Sequence, residues 1–257
     1  MKAPRYLLDV SGIRKLAKFV DVETLFAFDL DGTLAPIVDD PGKVRIPSEV
    51  IRGLEELKKW AYVAVITGRS CGDARLRLGF IPHHIIGNHG AEGVVGWEAK
   101  EREFQRMALN WERQLRKFLD GKSGIVLENK GMSITLHYRG ARNISEVQTV
   151  LEEAISHLSP EPRRIGGKYV ENLLPEEAPD KGEAFLQLMN AIGRSKGFFA
   201  GDDETDEDVF HLTGDNIFTV RVGKSFHSRA GYYLKSQREV ASMLEIINNT
   251  FSGRMPE

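Results

Sequence analysis

The sequence predicts an α/β chain: a parallel-sheet domain with helices on both faces, interrupted by an inserted domain in which helices cover an antiparallel sheet. Three observations lead there. Short apolar runs alternate with helix-period segments in the first and last thirds of the chain, which is the pattern of βαβ units. The middle third breaks that pattern with short paired strands around Asn129-Lys130-Gly131 and Gly166-Gly167. The parallel-type strands end in small or charged residues, and ligands of open α/β sheets bind beyond those ends.

Taken in order, Tyr6, Val10, Ile13, Ala17 and Val20 recur at helical spacing and predict an amphipathic helix docked on the core. Leu25–Leu30 is an apolar run suited to a buried strand. Ser48 is placed to cap a helix through Val50, Ile51, Leu54 and Leu57. Tyr62–Ile66 is the second strand, and Ile85–Ile86 leads into Gly87-Asn88-His89-Gly90-Ala91-Glu92. In the insert, Glu103–Leu119 reads as a long charged helix, and Gly124–Glu128 and Ser133–His137 as an antiparallel pair. Ile144–Leu158 is a helix capped by Asn143, and Arg163–Ile165 and Lys168–Glu171 are two further strands. Parallel order resumes with a helix over Lys181–Ala191 capped by Asp180, and a strand over Gly197–Ala200. A helix around Val209–Leu212, a strand over Ile217–Val222 and a closing helix over Ser236–Asn248 follow. Residues 1–98 and 178–257 are thus expected to form one domain, and 99–177 the insert.

Composition narrows the function. The chain has 257 residues, 41% hydrophobic and 28% charged, which excludes collagen-like, disordered and disulfide-stapled classes. With Lys+Arg 35 against Asp+Glu 37 there is no basic field, so neither nucleic acid nor a membrane is an expected partner. Asp9, Arg14, Lys15 and Lys18 break up the first apolar stretch, so no leader or membrane span is expected there. The single Cys71 excludes an intrachain disulfide and fits a reducing, cytoplasmic setting. No long apolar heptad pattern occurs, and a monomer is the default expectation.

The strand ends carry the chemistry. Asp29-Leu30-Asp31-Gly32-Thr33 holds two carboxylates that strand alternation would put on one side. Carboxylates that close repel unless a cation or shared proton intervenes, an arrangement suited to Mg²⁺ and to nucleophilic and acid–base work. Thr67-Gly68-Arg69 offers a hydroxyl and amides to an anion at a helix start. Lys181 opens a helix, and Gly201-Asp202-Asp203-Glu204-Thr205-Asp206 is an acidic cluster able to complete a Mg²⁺ site. A lone Asp-x-Asp is usually a solvated turn; it is the conjunction of four such elements on one sheet that points to a site.

These residues resemble the haloacid-dehalogenase (HAD) superfamily of phosphotransferases. Phe28-Asp29-Leu30-Asp31-Gly32-Thr33-Leu34, Ile66-Thr67-Gly68-Arg69, Lys181, and Gly201-Asp202-Asp203 with Asp206 match its four motifs. Asp31–Ile37, Gly87–Glu92 and Gly201–Asp208 are similar in detail to the trehalose-phosphate phosphatases within it. The resemblance implies a Rossmann-like HAD core with an inserted α/β cap. It implies a Mg²⁺-dependent phosphatase releasing trehalose and phosphate from trehalose 6-phosphate, a small-molecule sugar phosphate. It assigns Asp29 as nucleophile, Asp31 as acid and base, Thr67 and the Gly68 amide as phosphate holders, and Lys181 as charge neutraliser. Asp29, the Asp31 carbonyl and Asp202 would bind the metal, with Asp206 in support.

Sugar recognition needs groups that bond hydroxyls. Glu128, Lys130, Arg139, Lys168 and Glu171 in the insert are the candidates, with Asn88 and Arg69 on the core side. Glu128-Asn129-Lys130-Gly131 and Gly167-Lys168-x-x-Glu171 resemble the family's cap motifs. The segments Trp97–Lys100 and Pro175–Asp180 are expected to act as a hinge between insert and core. The segment from Glu171 to Lys181 lacks the arginine expected of the family. This leaves other substrates open: sucrose phosphate, mannosyl-phosphoglycerate or glucosylglycerol phosphate. A phosphosugar-binding regulator without turnover is the reading from a different class, against which the complete catalytic set argues.

Overall fold

The computed structural model describes residues 3–212 and 214–253; Met1, Lys2, Thr213 and 254–257, which include both outer ends of the expected core domain, lie outside the described residues. The chain forms two compact units, Met1–Val95 with Pro179–Glu257, and Gly96–Ala178.

In the first unit the elements are β1 (Arg5–Tyr6), α1 (Val10–Phe19), β2 (Thr24–Phe28), α2 (Ser48–Leu57), β3 (Tyr62–Ile66), α3 (Cys71–Leu78) and β4 (His84–Ile86). The second unit holds α4 (Glu98–Leu119), β5 (Val126–Asn129), β6 (Ile134–His137), α5 (Ile144–Ser156), β7 (Pro162–Gly167) and β8 (Val170–Pro175). The first unit is completed by α6 (Lys181–Ala191), β9 (Lys196–Gly201), α7 (Glu207–Phe210), β10 (Ile217–Val222), β11 (Tyr232–Leu234) and α8 (Val240–Phe251).

Among the described residues the first unit holds a seven-stranded sheet ordered β1-β11-β10-β9-β2-β3-β4, with every pairing parallel. Every residue of β2, Thr24–Phe28, is buried, as a central strand covered on both faces requires. Register sets Phe26 beside Phe198, and Phe198 beside Phe218. Their rings form a row at 5.4 and 5.9 Å, extended by Tyr232 stacked at 4.6 Å on Phe218. Each fully buried ring contributes about 1.5–3 kcal/mol through lost apolar hydration. α8 buries Val240, Met243, Leu244 and Ile247, one helical stripe, in the same core as Val50, Leu54 and Leu57 of α2.

The second unit is a helix layer on an antiparallel sheet ordered β5-β6-β8-β7. Trp111 and Leu115 of α4 and Leu151 and Ile155 of α5 share its core with Ile134, Leu136 and Leu173 of the sheet.

Several local expectations are corrected. α1 buries Gly12 and Leu16, while Val10 is exposed and Ile13 and Ala17 are half-buried, because its contact stripe lies one residue before the one expected through Ile13 and Ala17. Ser48 is the first residue of α2 and makes no capping bond from its side chain; Pro47 holds the cap position. α4 starts at Glu98, so the expected hinge segment Trp97–Lys100 is helical from its second residue. Glu98 and Glu101 lie in the first turn, where acidic residues favour the helix dipole but hide the apolar period. The hairpin between β7 and β8 turns at Lys168-Tyr169, with Tyr169 at φ 61, so Gly166 and Gly167 lie inside a strand.

Candidate active site

β2 stands at the switch point of the large sheet. The chain leaves it toward β3 and β4, then returns on its other side through β9, β10 and β11. A crevice opens beyond the carboxyl ends of the strands at such a point. Asp29 follows β2, its amide donating to the Ala200 carbonyl of β9 at 2.8 Å. The chain then turns sharply, Gly32 donating to the Ala35 carbonyl at 2.7 Å. Gly32 has φ +88, and a Cβ there would lie 2.1 Å from Asp202 Oδ2. Only glycine lets this loop approach the acidic loop after β9.

Lys181 is the first residue of α6, fixed by a capping box in which Asp180 accepts from Glu183 N and Glu183 accepts from Asp180 N. Its side chain is 2% exposed. Nζ donates to Asp29 Oδ1 at 2.8 Å and to Asp206 Oδ1 at 2.7 Å. The other oxygen of Asp206 accepts from the amides of Asp202 and Asp203 at 2.7 and 2.9 Å. Asp206 thereby locks the acidic loop and the lysine together. Asp202 Oδ1 accepts from Thr33 Oγ1 at 2.8 Å.

Carboxylate oxygens of Asp29, Asp202 and Asp206 lie within 4.8 Å of one another. Burial pushes the Asp29 carboxyl well above its usual range; Lys181 pulls it back, and Asp206 and Asp202 push it further up. Asp202 is pushed up to about 7 by burial and then by Asp206. Lys181 is held up, the two carboxylates outweighing its desolvation. The buried Asp29 and Asp206, the half-buried Asp202 and one ammonium leave an excess of negative charge that a divalent cation would neutralise. The donors are hard oxygens, so the set fits a divalent metal.

Asp31 is not part of that cluster. β2 ends at Phe28, and the turn that follows takes Asp31 out of strand alternation with Asp29. Its carboxylate is held by Arg69 through two bonds, Nε to Oδ2 at 2.6 Å and Nη2 to Oδ1 at 2.7 Å. Arg69 also donates to Asp73 and to the Pro41 carbonyl. Arg69, expected on the core side of the substrate, is thus half-buried with its guanidinium on Asp31, Asp73 and the Pro41 carbonyl. Thr67 is buried after β3, and its Oγ1 accepts from the Arg69 amide at 3.2 Å. Gly68 follows it, packed close beneath the His89 ring.

Asn88, also expected to face the substrate, is placed deeper. It is fully buried at φ 49, and its side-chain amide donates to Glu92 Oε2 at 2.7 Å. The same oxygen accepts from the Cys71 amide at 2.8 Å. Asn88 and Glu92 therefore shape the loop after β4 from within.

In the second unit the candidates divide. Glu128 lies opposite Thr135 in register, away from the helices, and pairs with His137 Nε2 at 2.8 Å. Lys130 lies in the β5–β6 turn, its amide donating to the Ser133 carbonyl at 2.9 Å. Arg139 and Lys168 are exposed, the latter in the β7–β8 turn. Glu171 lies opposite Leu136, whose side chain is in the core beneath the helices, and directly opposed residues share a face. Arg164 donates to Glu171 at 2.8 Å and also holds Glu152 of α5. Glu171 is thus on the helix side of the sheet, corrected from the expectation of a sugar contact beside Glu128. Asn172, one residue on, shares the face opposite the helices with Thr135, to which it is bonded at 2.8 Å.

Sequence reasoning passed over Thr33 and Asp73 as site residues. Thr33 gives no local signal for its bond to Asp202. Asp73 does give one: Arg69, Asp73 and Arg77 are spaced four apart, the interval at which charges meet on a helix.

The chain matches the family model for trehalose-phosphatase over residues 27–237. It is 32% identical over 235 residues to a trehalose-6-phosphate phosphatase of Escherichia coli, covering 88% of this chain and 87% of that one. A trehalose-phosphate phosphatase of Mycobacterium marinum is 28% identical over 76% of this chain, which spans about half of that relative's length, 53%. The crystal structure of a trehalose-6-phosphate phosphatase related protein superposes with TM-score 0.72 at 22% identity, covering 90% of this chain and 100% of that one. A match of that breadth, on a fold with this sheet order and these strand ends, settles the classification: the chain belongs to the trehalose-phosphatase family and is a HAD-type phosphatase, a phosphoric monoester hydrolase.

Proposed function

We propose that the chain hydrolyses trehalose 6-phosphate to trehalose and phosphate through a phosphoenzyme on Asp29. The observation that carries the reading is the buried Asp29–Lys181–Asp206 chain of bonds at the sheet's switch point, in a member of this family. Lys181 grips one oxygen of Asp29 and so orients the other for in-line attack on phosphorus. In the first displacement the Asp29 oxygen bonds to phosphorus as the phosphorus–sugar oxygen bond breaks, and Asp31 gives that oxygen its proton. In the second, water attacks the same phosphorus, Asp31 takes a proton from it, and the Asp29 carboxylate is released. Thr67 and the Gly68 amide hold phosphoryl oxygens, and Lys181 offsets their charge.

Asp29, the Asp31 carbonyl and Asp202 are proposed to hold Mg²⁺, with Asp206 steadying the loop behind Asp202. When bound, the metal supplies a positive charge against which phosphoryl oxygens are neutralised. Glu128, Lys130, Arg139 and Lys168 are proposed as readers of the sugar hydroxyls. Within the described residues no helix is long and apolar enough to cross a membrane.

The test is phosphate release from a panel of phosphorylated sugars ranked by kcat/KM, with Mg²⁺ and with EDTA. Trehalose 6-phosphate should lead the panel, EDTA should abolish release, and Asp29→Asn should remove turnover while the protein stays folded. A variant at position 29 with near-normal turnover refutes the nucleophile. A relative substrate far better than trehalose 6-phosphate refutes the sugar.

A further inference from the structure

Arg69 is held by a network that reaches well behind the reacting groups. Its Nε and Nη2 hold both oxygens of Asp31, Nη1 donates to Asp73 Oδ2, and Nη2 also reaches the Pro41 carbonyl at 3.2 Å. The second oxygen of Asp73 accepts from Arg77 Nη2 at 2.9 Å, and Arg77 Nη1 donates to the Gly42 carbonyl at 2.7 Å. Asp73 is itself anchored in the first turn of α3, its amide donating to Ser70 Oγ at 3.2 Å. The Arg69 side chain is 13% exposed, that of Asp31 35% and that of Asp73 34%.

A guanidinium is a planar fork, and a carboxylate gripped by two of its nitrogens takes its orientation from that plane. With Nε and Nη2 on Asp31, the plane is fixed from outside by the anchor on Nη1. That anchor is Asp73. We infer that Asp73 is a positioning residue for the reaction: it fixes the Arg69 plane, and through it the direction in which Asp31 presents its carboxyl. This rests on the reading above in which Asp31 protonates the leaving oxygen.

The consequence depends on the leaving group. A sugar alkoxide needs a well-aimed proton donor to depart, whereas nitrophenolate leaves without one. The parameter kcat/KM reports the steps up to the phosphoenzyme, where that difference lies. The experiment compares Asp73→Ala with wild type on 4-nitrophenyl phosphate and on the sugar phosphate that wild type hydrolyses best. Failure of trehalose 6-phosphate as a substrate therefore leaves the comparison intact. Expected is a fall of about tenfold on the sugar phosphate, a modest part of what a general acid supplies, and less than about twofold on the aryl ester. In an Arg69→Ala background the Asp73→Ala change should add nothing, since Asp73 acts through Arg69. Arg77→Gln, which leaves the Arg69 contact in place, should keep the ratio of the two substrates at its wild-type value. Asp73→Leu, of similar size but with no acceptor for Arg69 Nη1, replaces the alanine variant should that one fail to fold. A parallel fall on both substrates, no change on either, a rise on the sugar phosphate, or additive effects with Arg69→Ala would each overturn the inference.

Discussion

Replacing Lys181 by methionine tests the charge balance of the site directly. The side chain is 2% exposed and bonded to Asp29 at 2.8 Å and Asp206 at 2.7 Å. Methionine keeps most of the stem volume and removes the ammonium. Three carboxylates with oxygens inside 4.8 Å are then left with no positive partner in their midst. Breaking a buried ion pair from one side costs about 3–5 kcal/mol. For a chain of this size 1 kcal/mol corresponds to about 2–4 °C in Tm, so the loss should be about 6–20 °C. The carboxyls can relieve part of that by taking up protons. The folded-state pKa values of Asp29 and Asp202 already stand above the ordinary range, and losing Lys181 pushes them higher. A carboxyl with a raised folded pKa binds protons more tightly folded than unfolded, so stability falls as pH rises between the two values. The deficit of the variant should therefore be larger at pH 8 than at pH 5, and a divalent cation should recover part of it at pH 8. The assay is thermal unfolding in EDTA at both pH values, repeated with Mg²⁺. A Tm within about 2 °C of wild type at pH 8, or a deficit that grows toward pH 5, would show that the lysine is not what offsets these charges.

Two further outcomes follow from the same geometry. Divalent-metal affinity, measured by calorimetry, should weaken as pH falls below about 7, where Asp202 takes up a proton. Metal binding near that pH should accordingly release protons, seen as a dependence of the heat on the buffer's ionisation enthalpy. Gly32→Ala should lose metal binding and turnover together, because its methyl would meet Asp202 Oδ2 at 2.1 Å with the backbone at φ +88; retention of wild-type affinity would show that the loop yields there.

Much of the fold is legible in local pattern. Tyr62–Ile66, Lys181–Ala191 and Ile217–Val222 have in the structure the bounds their apolar runs and caps imply. β1 and β11 pass unnoticed because strands of two and three residues carry no period. α1 is found but its buried face is not, since Leu16 and Gly12 win the contact over Val10 and Ile13. The β7–β8 turn falls at Lys168-Tyr169, because Tyr169 adopts a left-handed backbone that glycine would have been expected to supply.

The candidate site divides along the same line. Asp29, Asp202 and Asp206 can be named from acidic clusters at strand ends, and Lys181 from its place at a helix start together with the family resemblance. The sequence also determines that the strands are apolar enough to be buried on both faces, which makes their polar ends the place for a ligand. What the tertiary structure decides is partnership. Lys181 meets Asp29 across 152 positions of sequence and Thr33 meets Asp202 across 169. Arg69 turns inward to Asp31, and Glu171 falls on the helix side of its sheet while Asn172 takes the other side. A strand shifted by one residue sends every side chain to the opposite face, and a charge pairs with whichever opposite charge the packed backbone brings within reach. Residue type is written locally; the direction of a side chain and the identity of its neighbour exist only once the sheet has closed.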